Sequence, residues 1–169
     1  MKSLCLALAA AVLSIAFPAY AQRGNAPDLV LPNAENDPLF PIYRTSGVAD
    51  DGGAANTGWA TAIHCTNLSS SAESLQVILR QHTGQVLANQ TFFIGTTTTI
   101  TIVTHIGTVF PQDHNLISAG TPIDQGNFTI TATSTNIYCS VMVFDAAATS
   151  PVGILLHMIR FNPMAGSTE

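Results

Sequence analysis

The sequence predicts an all-β protein, an antiparallel sandwich of seven or eight short strands, with a small closed β-barrel as the alternative. Three observations carry this prediction. Threonine and β-branched residues recur with period two, apolar spacing of helical period is scarce, and two cysteines of the same parity stand on separate strand-like segments. Alternating polarity over short runs is what a half-buried strand requires, and many such runs with little helix make a sandwich or a barrel.

The first candidate strand is residues 42–48, a modest signal that ends at the turn-forming Asp50-Asp51-Gly52-Gly53. Residues 58–66 follow, with Trp59, Thr61, Ile63 and Cys65 on one face and Ala60, Ala62 and His64 on the other. This parity puts Trp59 inside with Cys65. In residues 75–81, Leu75, Val77 and Leu79 share a side, and the turn at residues 82–85 leads into residues 86–94, which predicts a hairpin. After Gly95 and four threonines comes residues 100–105.

Residues 128–133 and 137–144 are two further strands. Phe128, Ile130 and Ala132 are even-numbered, whereas Ile137, Cys139, Val141 and Val143 are odd. One unbroken strand cannot keep both sets on one face, so Ser134-Thr135-Asn136 must turn or bulge. Residues 152–161, apolar on both sides except for His157 and Arg160, read as a last strand that is central or has a covered edge. Residues 106–125 form the one long connection, and connections of that length are where sites are often built.

Flanking segments fix the expected organisation. Lys2, an apolar run from Leu4 to Phe17, and Ala19-Tyr20-Ala21 have the layout of a cleavable secretory signal over residues 1–21, cut between Ala21 and Gln22. Removing 21 of 169 residues leaves 148, enough for one domain with a proper core. Residues 22–41 carry four prolines and read as an extended leader, residues 42–161 as the single domain, and residues 162–169 as a loose tail. No later apolar stretch is long enough to span a bilayer. The chain is therefore expected to be exported to the periplasm or beyond, where its partner is an extracellular or cell-surface molecule or another copy of itself.

Charge excludes some partners. Asp, Glu, Lys and Arg make up only 9% of the chain, against roughly 25% in ordinary soluble domains. Lys2 is the only lysine, so the mature chain sets four arginines against ten carboxylates. That composition lacks the cationic footprint that nucleic acid or an anionic membrane surface needs. It also removes the usual protection of sheet edges. Residues 96–104 contain no charge, so as an edge strand they would accept a neighbouring strand; within a sheet they would need no protection.

Cys5 lies in the signal, which leaves Cys65 and Cys139 for one disulfide in an oxidising compartment, the alternative being two separate buried thiols. Their shared inward parity suits a bridge across a sandwich core. No tyrosine stands two residues before Cys139 and Trp59 precedes Cys65, so the immunoglobulin pattern is absent.

Residues for catalysis are few. There is no G-x-S-x-G elbow, no H-E-x-x-H, no glycine-rich phosphate loop and no distinguished pair of glutamates. No catalytic residue and no cofactor is assigned. A copper site would want paired histidines or a Cys-His-Met loop, and the five histidines never fall two apart. Asp113-His114 in the long connection is the best metal fragment, with solvated loop residues as its plainer reading. Asp50-Asp51-Gly52 lacks the alternating oxygens of a calcium loop and reads as a turn. Asn67, Asn89 and Asn127 each begin an N-x-[ST] triplet, which signifies glycosylation only in a eukaryotic source.

The stretches 58–67 (GWATAIHCTN), 132–139 (ATSTNIYC) and 157–163 (HMIRFNP) resemble a group of small exported bacterial β-proteins without an established activity. That resemblance implies a periplasmic or extracellular β-protein and brings no catalytic residue. Chaperone–usher pilins share the size, the disulfide and the threonine-rich strands, but differ in cysteine placement and in their aromatic-ended donor segment. The function expected from these readings is a non-catalytic secreted module for ligand contact or self-assembly. A small metal-binding or hydrolytic enzyme with its site in residues 106–125 is the alternative.

Overall fold

The computed structural model describes residues 38–118 and 120–161. The expected signal with its Ala21–Gln22 cut, nearly all of the leader, and the tail lie outside the described residues. Ten strands form two five-stranded sheets that stack without closing into a barrel, so the protein is a β-sandwich. They are β1 (Phe40–Asp50), β2 (Trp59–Asn67), β3 (Glu73–Arg80), β4 (Val86–Ile94), β5 (Thr99–Val103), β6 (His114–Asn115), β7 (Ile123–Ala132), β8 (Ile137–Asp145), β9 (Gly153–Leu155) and β10 (Met158–Arg160). The first sheet has the order β10-β1-β7-β3-β4, the second β6-β5-β2-β8-β9. All pairings are antiparallel except β5 with β6. No helix long and apolar enough to cross a membrane occurs among the described residues.

Alternation in the sequence becomes the core. Leu75, Val77 and Leu79 of β3 and Phe128 and Ile130 of β7 face inward from the first sheet. They meet Ile63 and Cys65 of β2, Ile100 and Ile102 of β5, and Ile137 and Val141 of β8. The hairpin β3–β4 forms as expected, with Val77 opposite Gln90, and the parity change at residues 134–136 is the turn between β7 and β8.

One open alternative is decided and three expectations are corrected. Residues 96–104 are not an edge: β5 lies between β2 and the two-residue β6. Residues 152–161 are not one central strand either. Leu156 donates its N–H to Val141 O in the second sheet, whereas Thr45 of the first donates its hydroxyl to His157 O, so the chain changes sheets here. It leaves β9 and β10 as the edges of two different sheets, and apolar residues on both sides serve that crossing rather than a double burial.

Trp59 is 51% exposed. The inward row of β2 ends one step earlier at Thr61, whose hydroxyl accepts from Ala49 N at 3.1 Å and donates to Ala49 O at 2.7 Å. The sandwich closes there on backbone, and Trp59 stands beyond it. Finally, the Cys65–Cys139 disulfide is present but does not cross the core. The two cysteines are directly opposed on neighbouring strands β2 and β8, with their Cα atoms 4.1 Å apart, within one sheet. Matching parity is a property of cross-strand neighbours as well as of facing sheets, which is why parity could not separate the two arrangements.

A second, smaller core covers the outer side of the second sheet. Ala60, Ala62, Val103, Phe144 and Ala146 are buried beneath residues 104–113, with Phe110 packed on them. The Phe110 ring meets Phe144 edge-on at 5.3 Å and His64 at 4.8 Å. Gly107 permits this cover, because a Cβ there would lie 2.4 Å from the Phe144 ring.

Candidate functional site

The two long borders of the sandwich differ in how their edges end. On the β4–β6 side, Asp113 donates its N–H to Thr101 O (2.9 Å) and accepts the Thr101 N–H on Oδ2 (2.6 Å). Leu116 donates to Val103 O at 2.8 Å and accepts from Gln90 Nε2 at 3.1 Å, and the His114 ring packs against Phe92 at 4.4 Å. The segment at Asp113 and His114 thus occupies the outer edge of β5 and ties it to β4. These two residues, the best metal fragment in the sequence, make border contacts, and among the described residues no group of three potential ligands includes them.

On the opposite side, among the described residues, β9 pairs with β8 and β10 with β1. Val152, Ile154, Leu155, Ile159 and Phe161 are exposed there, Leu155 by 74% and Ile154 by 69%. Between Asp145 and Arg160 the sequence holds no Asp, Glu, Lys or Arg. Arg160 itself donates to Thr135 O at 2.8 Å and lies over the Tyr138 and Tyr43 rings, within the fold. A sheet border with exposed apolar side chains and no Asp, Glu, Lys or Arg between residues 145 and 160 is an uncommon surface in a monomeric β-protein.

Beside this border lies a cavity of about 280 Å³, lined among others by Arg44 and Ser46 of β1, Asn127 of β7, and His157 and Ile159 at the end of the chain. Arg44 stacks over the Phe161 ring at 5.3 Å. The three arginines among the described residues all stand on the first sheet, on β1, β3 and β10.

The residues that could hold a metal are elsewhere. Asp50, Asp51 and His105 bring ligand atoms within 4.8 Å of one another. Asp50 and His105 are both buried, with His105 Nδ1 at 2.9 Å from Asp50 Oδ2 and Nε2 at 2.9 Å from Thr57 O. Both ring nitrogens thus lie within hydrogen-bond distance of oxygen atoms. Gly58 makes room for Asp51, since a Cβ there would lie 1.5 Å from the carboxylate, and its φ of +64° suits glycine. Sequence reading placed Asp50-Asp51 in a turn but had no signal joining them to His105, 54 residues on from Asp51.

Of the three glycosylation triplets, Asn67 is fully buried. Its amide donates to Ser71 O (2.7 Å) and Ile94 O (3.1 Å) and accepts from Ser69 N (2.9 Å), a use that excludes a glycan. The adjoining Glu73 carboxylate accepts hydroxyls of Ser69, Ser71 and Thr133, so this cluster closes one end of the core.

Comparison with models of protein families, with curated proteins and with solved structures gives no match.

Proposed function

We propose that this chain is a secreted, non-catalytic contact module that associates with a second copy of itself through residues 152–161. The observation that carries this reading is the exposed apolar surface of β9 and β10, with no Asp, Glu, Lys or Arg between residues 145 and 160. A two-fold axis beside that border sets each edge against its own copy, so the exposed Ile154, Leu155 and Ile159 side chains become covered. The signal-like residues 1–21 and the disulfide support export to an oxidising compartment.

Sedimentation across a concentration series tests this. The wild type is expected to associate reversibly, and an Ile154→Lys, Ile159→Lys variant to stay monomeric with an unchanged circular dichroism spectrum. A wild type that is monomeric throughout the series, or a variant that associates as strongly as the wild type, overturns the proposal.

One observation favours a second reading, a metal-binding protein centred on Asp50, Asp51 and His105. Metal analysis of protein purified without chelator decides it: a stoichiometric ion that is lost in Asp51→Ala supports it, and metal-free protein overturns it.

A further inference from the structure

From the hollow between β1, β7 and β10 we infer a second binding site, specific for a small carboxylate with a short apolar body. This site shares His157 and Ile159 with the border proposed for self-association, but it is argued from the cavity and from Arg44 rather than from that association.

The argument begins with the scarcity of cations. Arg80 reaches Thr129 Oγ1 at 3.4 Å, and Arg160 is held by Thr135 O and two tyrosine rings. Arg44 is exposed, and among the described residues its guanidinium meets no carboxylate and no hydrogen-bond acceptor. It lies instead over the Phe161 ring, which restrains the side chain while leaving its N–H donors unused. A chain with net charge −5 that keeps, among its described residues, a restrained arginine without a carboxylate partner at a concavity has concentrated positive potential where an anion fits.

The lining narrows the ligand. Ser46, Asn127 and His157 bring a hydroxyl, an amide and an imidazole to the hollow that Arg44 borders, and Ile159 gives it an apolar wall. A planar guanidinium pairs with a carboxylate through two parallel hydrogen bonds. A single arginine balances the one charge of a carboxylate, whereas a phosphate group at neutral pH carries more charge than this lining offsets. The volume of about 280 Å³ is at the lower end for small-molecule sites, which suits a body of a few carbons.

The test uses the full chain, followed by amide NMR during titration with sodium hexanoate. Saturable shifts are expected at residues of β1, β7 and β10 around the hollow, with a Kd on the order of 1 mM for a ligand of this size. Arg44→Gln should weaken binding by about tenfold or more, the effect of losing charge-assisted hydrogen bonds. Should that variant fail to fold, Arg44→Lys keeps the charge without the fork and should weaken binding less. Absence of saturable shifts, or equal binding by folded Arg44→Gln, overturns the site. Equal binding of hexanol or of inorganic phosphate overturns its specificity for carboxylate.

Discussion

The β4–β6 border and the β9–β10 border both lie at the limits of the same two sheets and both include strands of two or three residues, yet they end in opposite chemistry. At the first, a two-residue strand suffices because the residues around it carry the closure. Asp113 occupies both hydrogen-bonding groups of Thr101, Leu116 bridges Val103 and Gln90, and His114 covers Phe92. At the second, three-residue strands pair with β8 and β1 among the described residues and point isoleucine and leucine at solvent. Strand length therefore says little about whether an edge is finished; the groups set against its outer side decide it.

Placing the same charge on each border should break the comparison most sharply. Leu116 is 4% exposed, and Leu116→Lys would bury an unpaired ammonium; a loss of about 4 kcal/mol or more is expected in urea unfolding. Ile159→Lys, at an exposed position, should stay within about 0.5 kcal/mol of the wild type. Equal losses would mean that the open border is packed after all.

Removing one acceptor should convert the closed border into an open one. Asp113→Ala strips the Thr101 N–H of its carboxylate, which should cost about 2 kcal/mol and raise hydrogen exchange at Thr101. Asp113→Asn retains an acceptor oxygen and should recover most of the protection. Exchange at Thr101 that is the same in Asp113→Ala and the wild type would show that the carboxylate does not seal β5.

The smallest effect concerns the covered outer face of the second sheet. Burial against Phe110 holds His64 below the ordinary 6.5, because desolvation disfavours its charged form. The folded state thus binds fewer protons than the unfolded one just below that value. The associated stability is full above pH 6.5 and is lost as pH falls through the lowered value. The stability difference between wild type and His64→Gln should shift accordingly in unfolding curves between pH 7.5 and 5, by an amount on the order of 1 kcal/mol or less. A difference that is independent of pH would remove His64 from the account.

Much of the fold was legible because alternation reports which side of a strand is buried. The β3–β4 hairpin and the parity break before β8 follow from it directly. What alternation cannot report is which strand lies alongside. Cys65 and Cys139 have the parity of facing sheets and also that of neighbours, and only the register of β2 with β8 distinguishes them. Residues 152–161 misled for a related reason: apolar residues on both sides of a run arise from burial on both faces or from an uncovered border, and composition is the same in either case. The hollow was not legible, since Arg44 and His157 are 113 positions apart and neither belongs to a motif. The charge scarcity was the available signal, because it makes every arginine worth locating.

The disulfide has a mechanical consequence. Cys65 and Cys139 clip together two points separated by 74 positions, and β3 to β7 lie entirely between them. Tension applied to the two ends of the chain passes from β2 to β8 through that covalent bond and leaves the enclosed segment unloaded. Strands outside the clip can peel, but a length on the order of 250 Å of chain stays out of reach of the pull. The protein is built to yield at its ends, where β1 and β10 pair, while the enclosed strands keep their connection to one another.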